Sequence, residues 1–303
     1  MTQEKMSQDI MTQEKVSRGK KMRKNGLRKS SPEDGGVERG ALAKAHRIVV
    51  KVGSSTLTHE NGRTNLERMD RLALVLSELL NRKKEVVLVT SGAIAVGMGK
   101  FNMDKRPAGM GMKQALAAVG QCELMNLYSR LLSTYSRTVA QILLTKTDLD
   151  DDLKKKNVLN TFTSLFGFGV LPIVNENDSV SVEEIKSLKM FGDNDTLSAV
   201  VAKLIGADLL IILSDIDGFH DANPRENPDS LLIPLVREVT PALRAGAGGT
   251  GTARGTGGME TKLNAAEMAT GAGCDMVLMH GDNPMHILSV LEGKPIGTLF
   301  VRK

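Results

Sequence analysis

Ile48-Val49-Val50-Lys51-Val52-Gly53-Ser54-Ser55 is the stretch from which the fold reads outward. Four β-branched residues around one lysine, closed by a glycine and two serines, describe a buried strand running into a tight turn. A lysine inside such a strand is costly unless an anion compensates it, or unless its ammonium reaches water at the strand end. The Gly53-Ser54-Ser55 turn supplies closely spaced N–H groups and hydroxyls, which suit phosphate oxygens.

The same grammar recurs along the chain. Leu66, Met69, Leu72, Leu76, Leu79 and Leu80 fall at helical spacing and form one apolar stripe. Glu85 to Thr90 reads as a second buried strand, leaving through Ser91-Gly92-Ala93. Further strands are expected over 139–144, 170–174, 209–213 and 276–279, with helices over about 112–134, 158–166, 195–205, 260–270 and 285–291. Continuous apolar strands alternating with amphipathic helices imply a parallel sheet covered on both faces. Ligands of such folds gather outside the carboxyl ends of the strands, so the chemistry belongs to the strand exits.

Those exits have unusual composition. Ser91-Gly92 lets a ligand approach the backbone, and Ser91 serves equally well as a helix N-cap. Asn175-Glu176-Asn177-Asp178 and Gly192-Asp193-Asn194-Asp195 are two Asn/Asp clusters, more polar groups than one turn requires. They suit an amino group, a hydroxyl or hydrated Mg²⁺, with turn and cap chemistry accounting for part of each. Ser214-Asp215 closes another strand, and a glycine-rich loop from Gly246 leads through Thr256-Gly257-Gly258-Met259-Glu260-Thr261-Lys262 into a helix. Gly246-x-Gly248-x-x-Gly251 matches GxGxxG only formally, since no strand immediately precedes it. GxxxxGK[ST], HRD and DFG are absent, and none of the five histidines stands in a hydrolase or zinc-protease arrangement.

Composition sets bounds. The chain has 303 residues, 41% hydrophobic and only 3% aromatic, so Val, Ile, Leu, Ala and Met must build the core. Residues 1–47 hold twelve Lys/Arg and six Asp/Glu; subtracting their +6 from the chain's +5 leaves the remainder near −1. The basic character therefore lies in the leader, and the core has no cationic bias toward nucleic acid. Residues 1–45, with MTQEK at both 1–5 and 11–15, are expected to be disordered, and 46–303 to form the folded domain. Two cysteines without a CxxC pair suggest neither zinc nor a disulfide framework; a reducing, cytoplasmic setting is the default, and no membrane span is apparent.

Seven segments together resemble the amino acid kinase family, in the branch whose acceptor is L-glutamate. They are VVKVGSSTLT (49–58), VVLVTSGAIAVG (86–97), KQALAAVGQ (113–121), LPIVNENDSV (171–180), GDNDTLSA (192–199), LSDIDG (213–218) and GTGGMETK (255–262). The resemblance covers about 47–301 and implies a three-layer α/β/α sandwich with a mostly parallel central sheet. It further implies ATP with Mg²⁺, and transfer of the γ-phosphoryl group to the glutamate γ-carboxylate, the first step toward proline. By the same likeness Lys51 and Lys262 contact phosphates. Gly53, Ser214, Asp215 and Thr256 to Lys262 line the nucleotide site, while Ser91, Gly92, Asp178 and Asn194 hold glutamate. The Mg²⁺ ligands are left open. Feedback inhibition by proline and a homo-oligomer, dimer or tetramer, are also implied. The C-terminal PUA domain of many relatives is absent from the pattern, which reads as a kinase-only form.

Other readings stay open on the residues alone. One is a family member acting on acetylglutamate, aspartate, carbamate or UMP; another is a nucleotide or amino-acid sensor without turnover. RNA binding through the basic leader is a third.

Overall fold

The computed structural model describes residues 35–59, 63–180, 193–224, 226–246 and 258–303. Eight strands form one sheet: β1 Arg47–Val52, β2 Glu85–Thr90, β3 Val139–Leu144, β4 Leu171–Glu176, β5 Leu209–Ser214, β6 Leu235–Val236, β7 Asp275–His280 and β8 Thr298–Phe300. Their spatial order is β3-β4-β2-β1-β5-β7-β8-β6. Every pairing is parallel except β7 with β8. β1 lies inside the sheet, between β2 and β5. From β1 the chain works outward on one side, then returns to β5 on the other, which makes the exits around β1 the topological switch point.

The helices are α1 Gly36–Ala41, α2 Ser54–Leu57, α3 Leu66–Asn81, α4 Ala93–Lys100, α5 Met110–Ser133, α6 Lys146–Asp150, α7 Asp152–Gly167, α8 Asn194–Ile205, α9 Pro241–Gly246, α10 Met259–Gly271 and α11 His286–Leu291. Successive strand side chains point to opposite faces, so each strand feeds two cores. Ile48, Val50 and Val52 join Leu72 and Leu76 of α3, Leu124 and Tyr128 of α5, and Ile287 of α11. Val49, Val87, Val89, Leu210 and Ile212 join Leu197 and Val201 of α8, Phe162 of α7, and Ala265 and Ala269 of α10. This is the three-layer α/β/α arrangement. The alternation has a direct consequence: Lys51, two residues from Val49, shares the face that α8 covers.

Two helices on the first face touch backbone to backbone. A Cβ built on Gly97 of α4 would lie 2.1 Å from the Leu116 carbonyl oxygen, and one on Gly120 of α5 only 1.8 Å from that of Ala93. Any side chain at either position would force α4 and α5 apart.

Several expected boundaries move. The helix expected near 158–166 begins at Asp152, because Asp151 accepts the Lys154 N–H at 2.9 Å and caps it. β6 and β8 were not foreseen; at two and three residues they are too short to carry a period. The ordered fold also takes in Gly36 to Lys44, which the sequence reading assigned to a disordered leader. There Arg39 is buried, donating to the carbonyls of Ile296 at 3.0 Å and of Pro234 and Gly297 at 2.8 Å. One basic residue thus anchors α1 to the end of the sheet that carries β6 and β8. No helix among the described residues is long and apolar enough to cross a membrane.

Candidate active site

Lys51 sits next to the end of β1, and its ammonium lies 2.5 Å from Asp195 Oδ1. Lys262, in the first turn of α10, approaches the other oxygen of that carboxylate, with Nζ to Oδ2 at 3.0 Å. Thr261 Oγ1 donates to the same Oδ2 at 3.2 Å. All three charged residues are buried, Asp195 to 1% exposure. Burial alone would push the Asp195 carboxyl upward. The Lys51 and Lys262 charges and their hydrogen bonds outweigh it and bring the group down to about 2. Two lysines thus converge on one carboxylate in a site nearly closed to water, with the buried Asp193 close enough to feel the Lys51 charge. Converging ammonium groups of this kind suit an anionic ligand.

Asp195 arrives there through local cap chemistry. Asp193, in extended backbone, accepts the Thr196 N–H at 2.9 Å and the Thr196 hydroxyl at 3.2 Å, starting α8. With Asp193 as cap, Asn194 and Asp195 become the first two helical residues. Leu197, Ser198, Ala202 and Ile205 of the same helix are buried too, so the first turn is pressed against the sheet.

On the β2 and β4 side the groups bonded to Asn194 are neutral. The Asn194 amide donates to the Thr90 carbonyl at 2.9 Å, to Ser91 Oγ at 2.8 Å and to Asn175 Oδ1 at 3.1 Å. Ser91 is not the cap of α4, as one sequence reading allowed. Gly92 occupies that position with φ 95, a left-handed conformation that favours glycine, and no side chain caps the helix. Ser91 is thereby released to meet Asn194. Asp178 stands half-buried on the short 3-10 turn Asp178–Val180 after β4. Burial raises its carboxyl above the ordinary range, with the Arg106 charge opposing that rise.

On the β5 side, Ser214 ends the strand buried and donates to Asp215 Oδ1 at 3.1 Å. Gly258 precedes α10 without a side-chain cap. The α10 N-terminus brings Thr261 and Lys262 to Asp195, and helix N-termini suit phosphate. Gly53 adjoins the same centre: a Cβ there would lie 3.5 Å from Lys51 Nζ. Met259 and Glu260 complete the first turn of α10. Thr256, Gly257 and the Gly246-x-Gly248-x-x-Gly251 loop fall outside the described residues apart from Gly246, which ends α9.

The structure thus brings Lys51 and Lys262 onto one carboxylate, and Ser91 and Asn194 into one hydrogen bond. No hydrogen bond joins Asp178 to either group among the described residues. The residue that sequence reasoning missed is Asp195, noticed only as one letter of a polar cluster. Its signal was available: a carboxylate on the buried face of an otherwise apolar helix. Among the described residues no group of three or more His, Cys, Asp or Glu side chains is placed to hold a metal ion.

Comparison with known proteins gives consistent results. Residues 46–280 match the amino acid kinase family. A glutamate 5-kinase from Clostridium perfringens (strain 13 / Type A) is 54% identical over 265 residues, covering 88% of this chain and 98% of that protein. A glutamate 5-kinase from Listeria monocytogenes serovar 1/2a is 49% identical, with 88% and 96% covered. Among solved structures, a carbamate kinase from Giardia lamblia bound to AMP-PNP superimposes with a TM-score of 0.58. It is 13% identical and covers 86% of this chain and 100% of its own, a likeness of fold.

Proposed function

Because the chain belongs to the amino acid kinase family, and within it to the glutamate 5-kinases, we infer that Lys51, Asp195 and Lys262 form the centre at which it phosphorylates glutamate. The reaction transfers the γ-phosphoryl group of ATP to the glutamate γ-carboxylate, giving glutamyl 5-phosphate and ADP. The observation that carries the assignment is the single buried carboxylate shared by two lysines, at 2.5 and 3.0 Å.

The chemistry explains why the site needs charge and no base. A carboxylic acid with a pKa near ~4.3 is already ionised at neutral pH, so the nucleophile requires no deprotonation. The barrier comes from bringing an anion to a polyanion. Lys51 and Lys262 offset that repulsion and are the residues placed on the transferring phosphoryl group. Asp195 touches neither reactant in this scheme; it is the positioning residue that fixes both ammonium groups. Ser214, Asp215 and the α10 N-terminus bind the nucleotide on the β5 side. Ser91, Gly92, Asp178 and Asn194 bind glutamate on the β2 and β4 side, with Asn194 Oδ1 as acceptor for the α-ammonium.

Mg²⁺ enters as part of the Mg–ATP substrate, on the nucleotide's phosphates, where this ion ordinarily keeps several waters. The described residues supply no ligand set for a resident ion, and both oxygens of Asp195 are engaged by lysines. Proline as feedback inhibitor, a homo-oligomeric state and a cytoplasmic location complete the proposal; they rest on the family likeness.

The direct test is purified protein with Mg–ATP and glutamate in the presence of hydroxylamine, which captures an acyl phosphate as the hydroxamate. Formation of γ-glutamyl hydroxamate with equimolar ADP is the expected result. ADP release with carbamate or UMP but not with glutamate would overturn the reading.

A further inference from the structure

We infer that Arg106, on the loop between α4 and α5, binds the α-carboxylate of the acceptor and makes that group part of what the site recognises. The inference rests on reading Asp178 as part of the glutamate pocket and adds to it a charge of opposite sign.

Glutamate brings three charged groups. Once its γ-carboxylate lies at the lysine centre, an ammonium and a second carboxylate remain, both on one carbon. Asp178 suits the ammonium, and so does Asn194 Oδ1, which is buried without a partner among the described residues. The groups assigned so far include no cation for the α-carboxylate. A carboxylate leaving water is held best by charge-assisted donors, and a guanidinium offers two in parallel.

The topology shows where such a cation can come from. β2 and β3 are both parallel to β4, so the chain leaves β2 at the carboxyl edge of the sheet and must enter β3 at the opposite edge. α5 makes that descent, ending at Ser133 shortly before β3 begins at Val139. Its N-terminus therefore lies toward the carboxyl edge. Gln121 marks the level at which α5 passes the end of β4, since its Oε1 accepts the Asn175 NH₂ at 2.8 Å. From that level back to Met110, α5 extends about 16 Å further along its axis. α4 climbs beside it in the opposite direction, because Ala93 meets Gly120 and Gly97 meets Leu116. Loop 101–109 joins the two raised ends and so overhangs the exit of β4.

The 3-10 turn Asp178–Val180 packs against α5 at that exit. The loop and the helix ends beside it carry Lys100, Lys105, Arg106 and Lys113. Lys100 is engaged by Glu123 at 2.7 Å. Arg106 is the one whose charge reaches the half-buried Asp178 carboxyl. No ion pair joins the two among the described residues. An anion and a cation within each other's field but apart leave room for the ammonium of a ligand at one and its carboxylate at the other. Arg106 is itself exposed, so its guanidinium can close on a ligand that Asp178 holds.

Arg106→Gln removes the charge at this exposed position. The readout is kcat/KM for glutamate divided by kcat/KM for isoglutamine, its α-carboxamide, which keeps the ammonium and the γ-carboxylate. Both are followed as ADP release on one protein preparation, so partial unfolding cancels. Where isoglutamine turns over too slowly to follow, the ratio of its KI to the glutamate KM takes that place. Wild type is expected to favour glutamate, and Arg106→Gln to lower the preference about 10-fold, the scale of one lost charged contact. A second ratio, glutamate over glutarate, which has both carboxylates and no ammonium, is expected to stay near wild type. An unchanged first ratio in Arg106→Gln overturns the inference. An equal fall in the second ratio also overturns it, because Arg106 would then act on the ammonium through Asp178 and not on the carboxylate. Wild-type protein that forms no glutamyl hydroxamate would instead bring down the functional reading, and this inference with it.

Discussion

The two sides of the proposed site solve opposite electrostatic problems. Around Asp195 the molecule uses formal charge: two buried lysines on one buried carboxylate, with buried Asp193 close by. Beside it, around Asn194, it uses neutral amides, a serine and the Thr90 carbonyl. Phosphoryl transfer needs charge where the phosphates meet the nucleophile. An amino acid arrives as a zwitterion, and oriented dipoles can meet both of its signs, with Asp178 and Arg106 the charged contacts proposed on this side. Asp195 and Asn194 are neighbours in sequence, so one capped helix end delivers a member to each half.

The largest expected effect comes from breaking the charged half at its centre. Asp195→Asn leaves two buried ammonium groups without their carboxylate. It should cost about 3–5 kcal/mol of stability and lower kcat by about 10²–10³-fold. Urea unfolding and hydroxamate formation check both, and wild-type values in either would break the comparison. Lys262→Ala comes next, with kcat down about 10²-fold and the ATP KM raised more than the glutamate KM. Glutamate-selective damage would show that α10 belongs to the wrong half.

Smaller effects sharpen the other side. Asp178→Ala should raise the glutamate KM about 10-fold, as expected for one lost charged contact, with the ATP KM nearly unchanged. Equal losses for both substrates would remove Asp178 from the acceptor pocket.

The smallest concerns pH. The Asp195 carboxyl is lowered from 3.8 to about 2 in the folded chain, the two lysines prevailing over burial. Its contribution is then fully present above pH 3.8 and is lost as pH falls through about 2. The gap in urea midpoint between wild type and Asp195→Asn should be constant near pH 5 and narrow toward pH 2.5. A constant gap throughout would mean that the carboxylate is not stabilised by its lysines.

Much of this was legible in the sequence, and the exceptions have physical reasons. Ile48 to Val52 announced a strand because apolar runs have few other homes, and Lys51 stood out because its burial is costly. Asp195 did not stand out, because Asn/Asp clusters at helix starts are common and Asp193 does act as the cap. Only its place among the buried residues of α8 distinguished it. Arg39 looked like one more charge of a basic leader, and nothing local foretold three carbonyls from the far end of the chain.

The division between the halves is tested most directly by the glutamate saturation curve of folded Lys51→Ala, followed as hydroxamate at saturating Mg–ATP. The account expects a plateau lower by at least ~10²-fold, with half-saturation close to wild type. A wild-type plateau with half-saturation shifted to higher glutamate would contradict it, placing Lys51 in substrate binding and leaving phosphoryl transfer without its central charge.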